Sequence, residues 1–153
     1  MTTASPHAHG VHFGRADVQN AGMGVGIVLM LVGVLGFIPG VTTQYSELMF
    51  LGPDSHAMFL GLFQVSMLLS IVQLVIGGAG WAMSRNEMGA RRFLMGAGAL
   101  YIILSIFGLS VGVDSAANFL SLNMTDSWTL LVVGVLMIAA GWMFSRHLAE
   151  DRK

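Results

Sequence analysis

The side chains of this chain that could do chemistry include a group of histidines near its start. His7, His9 and His12 fall within six residues of each other. Three imidazoles at this spacing could form a loose site for a transition metal. A polar tail must first be ordered before it can hold an ion, so we predict a solvated tail here and no metal site.

Two short acidic segments hold the other candidates for catalysis. Asp54 and His56 are in the first segment, and Asp126 is in the second. A single carboxylate or imidazole could serve as a general base toward a lipid, but no second catalytic group accompanies any of them. The chain has no cysteine, which excludes thiolate catalysis and Cys-ligated metal centres. We therefore predict no catalytic residue, no bound cofactor and no enzymatic activity.

The polar side chains inside the long apolar segments are uncharged. Their ordinary role would be to hydrogen-bond across helices or back to helix carbonyls. The alternative is that some of them surround a polar cavity for a small solute or a quinone head group. The residues in question are Gln64, Ser66, Ser70, Gln73 and Tyr101.

Composition places the chain in a membrane. Only 10% of its 153 residues are charged and 55% are hydrophobic, whereas a soluble domain has about 25% charged residues. So few charges cannot cover the surface of a water-soluble domain of this size. The net charge of -1 gives no attraction to nucleic acid, which we exclude as a partner.

Four apolar segments are long enough to cross a bilayer, which takes about 20 residues per helix. Because their apolar runs are continuous, they are typical of helices and not of alternating barrel strands. We predict an all-α polytopic four-helix bundle over residues 21–145, with polar tails at 1–20 and 146–153. The predicted spans are about 21–38, 57–83, 93–113 and 128–144.

No ionisable side chain falls within these four spans. A charge inside the membrane is the usual mark of an ion-coupled path, so its absence argues against an ion-coupled four-span exporter.

The cations predict the orientation of the bundle. All seven are in the two tails or in the segment between spans two and three, and none is in the two acidic segments. Positive residues stay in the cytoplasm, so we predict a protein of the cell inner (plasma) membrane with both termini cytoplasmic. The seven are Arg15, Arg85, Arg91, Arg92, Arg146, Arg152 and Lys153.

Aromatic and basic residues are expected at the membrane surfaces. Trp81 and Trp142 fit the cytoplasmic interface and Trp128 fits the outer one. Arg85, Arg91 and Arg92 form a cationic cluster that favours anionic lipid head groups.

The chain contains traces of a duplication. Gly80-Trp81 and Ser84-Arg85 recur 61 residues later as Gly141-Trp142 and Ser145-Arg146. We interpret this as two copies of an in–out–in hairpin, related by an axis along the membrane normal. The alternative is that membrane helices share Gly and Trp through composition alone.

Several short runs resemble one family. They are the run from Val32 to Thr43 (VGVLGFIPGVTT), Gly61–Ser66 (GLFQVS), Ser115–Phe119 (SAANF), and Leu122-Asn123 followed by Asp126 and Trp128. Over about residues 20–145 the chain resembles the actinobacterial four-span membrane proteins grouped as domain of unknown function 4383. The resemblance implies an actinobacterial plasma-membrane protein and implies no activity.

The chain departs from the pattern of that family at three positions. The family pattern has two histidines four residues apart in span two, where this chain has Leu69 and Gln73, and a third in span four, where it has Leu130. Histidines four apart share a helix face and could hold a metal or haem iron, or relay protons. This chain lacks that chemistry.

We therefore predict a non-catalytic structural or accessory protein that self-associates or docks to a larger inner-membrane assembly, with lipid as its other partner. Apolar runs lie in both acidic segments, at Leu48–Leu51 and at Phe119, Leu120 and Leu122. We expect them to fold back onto the bundle or to lie in the head-group region, and a docking surface for a partner is a third option. The alternative is a small transporter or channel for an uncharged solute, lined by Gln64, Gln73 and Tyr101.

Overall fold

The computed structural model describes residues 15–52 and 54–150 and confirms the predicted helical membrane bundle. Four helices form most of the chain, and three two-residue strands form a small sheet that was not predicted. In chain order the elements are α1 (Arg15–Leu35), β1 (Thr42–Thr43), β2 (Met58–Phe59), β3 (Phe63–Gln64), α2 (Met67–Met83), α3 (Glu87–Ser110) and α4 (Met124–Glu150).

Three helices contain segments long and apolar enough to cross a membrane. These segments are Asp17–Leu35, Glu87–Ser110 and Met124–Met143. Helix α2 is apolar but has only 17 residues, which gives a length of about 25 Å. A bilayer core is about 30 Å thick, so α2 is the short member of the bundle.

The second predicted span, 57–83, is a helix only from Met67 onward. Leu60 and Gly61 have φ angles of +52° and +70°, which turn β2 back onto β3 and cannot continue a helix. Ser66 then starts α2, because its hydroxyl accepts the N–H of Leu69 at 3.2 Å. An apolar run predicts burial equally well for a helix and for a covered hairpin, so hydropathy alone did not distinguish the two.

The helices also extend into the predicted tails. Helix α1 begins at Arg15 and α4 continues to Glu150. Helix α4 begins at Met124, so Asp126 is within the apolar segment. Asp126 lies outside the predicted span 128–144 but inside the candidate span Met124–Met143, because the helix begins four residues earlier than the predicted span. The candidate metal ligands His7, His9 and His12 lie outside the described residues.

The helices pack as two antiparallel pairs, α1 with α2 and α3 with α4. Glycines allow backbone contact in both pairs. A Cβ atom on Gly77 would lie 2.6 Å from the carbonyl oxygen of Gly26, and one on Gly134 would lie 2.7 Å from that of Gly98. Close approach through small residues is the usual way in which membrane helices associate.

The non-helical segments join at one end of the bundle into a structure that we call the crown (residues 36–52, 54–66 and 111–123). Its strands pair antiparallel in the order β1-β2-β3, with Phe59 opposite both Thr42 and Phe63. The two segments are hydrogen-bonded to each other: the Gly52 N–H donates to the Phe119 carbonyl at 3.0 Å, and the Ser66 hydroxyl donates to the Leu120 carbonyl at 3.2 Å.

The apolar runs of the crown are divided between the interior and the surface. Leu48, Leu120 and Leu122 are buried, whereas most of their apolar neighbours are exposed. A small cluster of Leu48, Ala57, Phe59 and Val65 packs beneath the strands, separate from the main helical core. The buried leucines thus fold back onto the protein, and the exposed residues of the same runs remain on its surface.

Adjacent glycines of α2 provide a test of the helix packing. In Gly77→Ala the new methyl group meets the Gly26 oxygen and the Met30 nitrogen at 2.6 Å each, so we expect a loss of about 1–3 kcal/mol in stability. In Gly78→Ala it meets no atom within 4 Å, and we expect a gain of up to about 1 kcal/mol from helix propensity. Thermal unfolding by circular dichroism in mild detergent measures both. Equal unfolding midpoints for Gly77→Ala and Gly78→Ala would contradict the backbone contact between α1 and α2 at Gly77.

Candidate binding cavity

A cavity of about 520 Å³ lies beneath the strands of the crown. It is enclosed mainly by α1, α2, α4 and the strands, with one residue from α3. Its walls are largely apolar, with a few polar groups. The lining residues are Gly24, Val25, Val28, Leu29, Val32, Phe59, Phe63, Gln64, Val65, Leu69, Ser70, Gln73, Tyr101, Leu122, Asp126, Thr129, Leu130 and Val133.

The cavity reaches the side of the bundle between α1 and α4. These two helices touch at few points, because each packs chiefly against its own partner. Val28 on α1 and Thr129 on α4 both line the cavity and are exposed on the bundle surface. A Cβ atom on Gly24 would meet no atom within 4 Å, so there is open space beside it. The opening therefore faces the region that the apolar chains of lipid would occupy.

Two polar side chains pair in the middle of the bundle. The Tyr101 hydroxyl donates a hydrogen bond to the Gln73 side-chain oxygen, and Tyr101 is only 2% exposed. Within the described residues, Gln73 is hydrogen-bonded through its side-chain oxygen, which leaves the two N–H groups of its side-chain nitrogen available to a molecule in the cavity.

Gln64 approaches the cavity from the crown. Its side-chain nitrogen donates to the Ser55 carbonyl at 2.6 Å, and the Ser55 hydroxyl in turn accepts from the Met49 N–H at 3.2 Å and donates to the Val65 carbonyl. Both side chains are buried. This network holds the strand that carries Gln64 over the cavity.

Asp126 is the acidic residue of the cavity wall. It forms a capping box with Asn123 at the start of α4: its N–H donates to Asn123 Oδ1 at 2.8 Å, and its Oδ2 accepts the Asn123 N–H at 3.0 Å. The same Oδ2 accepts the backbone N–H of Gln64 at 3.0 Å. The carboxylate thus joins β3 to α4, and the positive end of the helix dipole favours its charge.

The predicted polar residues come together in part. Gln64, Ser70, Gln73 and Tyr101 line the cavity. Ser66 does not, because its hydroxyl caps α2 and donates to the Leu120 carbonyl. The Ser70 hydroxyl is buried and has no hydrogen-bond partner among the described residues.

Sequence reasoning placed Asp126 in a surface segment and missed its role in the cavity. The spacing of Asn123 and Asp126 is that of a capping box, which predicts a helix starting at Met124 and would have placed Asp126 in its first turn. The three positions of departure from the family pattern, Leu69, Gln73 and Leu130, also line the cavity.

The remaining predicted positions lie elsewhere. Trp81, Trp128 and Trp142 are 42–53% exposed, and the guanidinium of Arg85 stacks 4.5 Å from the centre of the Trp81 ring. Arg85 is exposed in the turn between α2 and α3, and in the second turn of α3 Arg92 is exposed and Arg91 is half-buried.

The described residues bring no catalytic or metal-binding group together at the crown. Asp54 and His56 are exposed, whereas Asp126 is buried. Among the described residues, no three His, Asp or Glu side chains are grouped in a way that could hold a metal ion.

Apolar helices arranged around a cavity define a multi-pass helical membrane protein. The model of the family described as Domain of unknown function (DUF4383) matches residues 19–143, and the chain belongs to this family. Comparisons with curated proteins and with solved structures gave no match.

The hydrogen bonds by which Asp126 joins β3 to α4, which we call the Asp126 bridge, are tested by Asp126→Ala. The variant removes a buried acceptor from two backbone N–H groups, so we expect a loss of about 1.5–3 kcal/mol in stability. Amide hydrogen exchange at Gln64 and Asn123 should become faster. The exposed Asp114 is the matched control, and Asp114→Ala should change stability by less than about 0.5 kcal/mol. Unchanged exchange at both amides in Asp126→Ala would contradict the bridge.

Proposed function

We propose that this chain is a non-catalytic membrane protein whose cavity binds a small, largely apolar molecule. The observation that carries the proposal is the cavity itself, with its volume of about 520 Å³, its apolar walls and its few convergent polar groups. Ligand sites in proteins are typically cavities of about 300–1,000 Å³ with this distribution of polar groups. The opening between α1 and α4 lets the molecule enter from the bilayer.

A binding site is favoured over an open channel. Away from the crown the helices are tightly packed: Ala90, Phe93 and Leu94 are 0–4% exposed, and a Cβ atom on Gly80 would overlap the Phe93 ring. A solute that entered beneath the crown would need a rearrangement of these residues to cross the bundle. A transporter for an uncharged solute that uses Gln64, Gln73 and Tyr101 would therefore have to alternate between two conformations.

Two exposed helix glycines provide a test of binding. Gly24 borders the cavity and Gly96 on α3 does not, and a Cβ atom on either would meet no atom within 4 Å. Gly24→Leu should fill the mouth and reduce photolabelling of the Gln73 and Tyr101 peptides by adamantyl diazirine, an uncharged apolar probe. We expect a reduction of about tenfold, equivalent to 1.4 kcal/mol and within the range of overpacking penalties. Gly96→Leu should be labelled to the same extent as the unsubstituted protein. Equal labelling of the unsubstituted protein, Gly24→Leu and Gly96→Leu would contradict the binding site.

We also propose that the protein is in the plasma membrane with both termini cytoplasmic and the crown outside. The distribution of arginine supports this orientation, since Arg85, Arg91 and Arg92 lie at the end opposite the crown.

This orientation is tested with single cysteines, because the chain has none of its own. Ser46 is exposed in the crown and Met88 is exposed at the opposite end. A membrane-impermeant maleimide should label Ser46→Cys in intact cells. It should label Met88→Cys only after the membrane is permeabilised. The reverse pattern would mean that the orientation is inverted.

An accessory role in a larger assembly is a second candidate function, and the surface of the crown favours it. Six apolar side chains there are 46–61% exposed, which is the pattern of a docking surface or a head-group contact. They are Met49, Phe50, Leu51, Leu60, Leu62 and Phe119. A native mass in mild detergent equal to that of one chain, with no other protein bound, would contradict this role.

A further inference from the structure

The cavity wall holds a carboxyl group, that of Asp126, which the surrounding side chains leave without a cationic partner. Within the described residues, the Asp126 carboxyl group accepts two hydrogen bonds, both through Oδ2, which leaves Oδ1 available to another donor or to a cation. Among the residues that line the described cavity there is no Lys, Arg or His. The amides of Asn123 and Gln64 and the helix dipole supply only partial positive charge. A cation is therefore the complementary occupant for the space beside Oδ1.

Three aromatic rings line the same cavity. Phe59 and Phe63 lie on neighbouring strands with ring centroids 6.4 Å apart and planes inclined at 43°, and Tyr101 lines the cavity from α3. The negative face of an aromatic ring attracts organic cations, and the attraction is larger where water is excluded. Asp126 and the aromatic side chains thus favour the same kind of ligand independently.

We propose that the cavity binds an organic cation of largely apolar build, with Asp126 Oδ1 as its counter-charge and Phe59, Phe63 and Tyr101 as its aromatic walls. The proposal rests on the binding role of the cavity and adds the chemical class of the ligand. The proposed ligand differs from the uncharged solute expected from the sequence, because Asp126 lies within the candidate span Met124–Met143 and lines the cavity.

The composition of the walls excludes other classes of ligand. A metal cation of the calcium or magnesium type needs about six oxygen ligands, and the cavity offers few oxygens within largely apolar walls. An anionic lipid head group would be repelled by Asp126. A cation whose charge is spread over an apolar body loses less hydration on entering than a compact ammonium group does. The apolar walls would then contact the body of the ligand.

Probes of nearly equal shape and different charge test this class directly. Tetraphenylphosphonium is cationic, tetraphenylborate is anionic and tetraphenylsilane is neutral. Equilibrium binding of each probe is measured with the protein in an uncharged detergent. Because Gly24→Leu fills the mouth of the cavity, its signal at the same detergent concentration measures binding outside the cavity and is subtracted. We expect the phosphonium to bind at one site per chain, at least about tenfold more tightly than the borate.

Asp126→Asn and Asp114→Asn form the matched pair of variants. Both remove one negative charge, but Asp114 is exposed and does not line the cavity. Asp126→Asn should weaken phosphonium binding by about tenfold or more and leave binding of the neutral probe unchanged. Asp114→Asn should bind all three probes as the unsubstituted protein does. Circular dichroism of both variants shows that they are folded, and the comparison of the three probes on the unsubstituted protein does not depend on either variant.

The outcomes separate the two proposals. If the neutral probe binds but the phosphonium binds no better than the borate, or if Asp126→Asn binds the phosphonium normally, the cation assignment is overturned and the binding cavity stands. If no probe binds above the value for Gly24→Leu, the binding role of the cavity fails, and the cation assignment fails with it.

Discussion

The structure depends on one constraint, which is that backbone N–H and C=O groups near the hydrocarbon of a bilayer must be hydrogen-bonded within the protein. Helices meet this constraint by themselves, but the crown is not helical. Its backbone is satisfied instead by short strands and by buried side chains such as Ser55, which bonds to Met49 and Val65. Asp126 does the same between elements. A single oxygen of its carboxyl group accepts two backbone N–H groups, that of Gln64 on β3 and that of Asn123 at the start of α4. The crown is therefore attached to the bundle by groups that apolar side chains could not replace.

The cavity follows from how the helices are paired. Glycines draw α1 against α2 and α3 against α4 until backbone atoms touch, as at Gly26 with Gly77 and Gly98 with Gly134. Among the described residues, no glycine brings the backbones of α1 and α4 into contact, so a space remains between the pairs at the end where the crown covers it. The same packing that stabilises each pair thus creates a site between them. The crown places Gln64 over this site, and α4 places Asp126 beside it.

Asp126 both holds backbone groups of β3 and of the start of α4 and lines the cavity. Within the described residues, one carboxyl oxygen accepts two backbone N–H groups, which leaves the other oxygen available to a ligand. A carboxylate held at a helix start is oriented before any ligand arrives, so little ordering is needed on binding. Its environment is also largely apolar, which strengthens electrostatic attraction relative to water. Under the proposed cation binding, these properties would make a site of modest size selective by charge.

The sequence by itself determined the class of the protein, because scarce charges and long apolar runs are compatible only with a membrane bundle. It also determined that there are four helices and which small and polar residues they contain. The tertiary structure decided where those residues meet. The apolar run before Ser66 could have been helix, and only pairing with Thr42 and the turn at Leu60 and Gly61 made it a hairpin. Whether Asp126 faced water or a cavity depended on where α4 began and on what covered it, and hydropathy measures neither. The local sequence determines which side chains each helix has. A cavity is formed by residues that are distant in the chain, so only the tertiary structure shows where it lies.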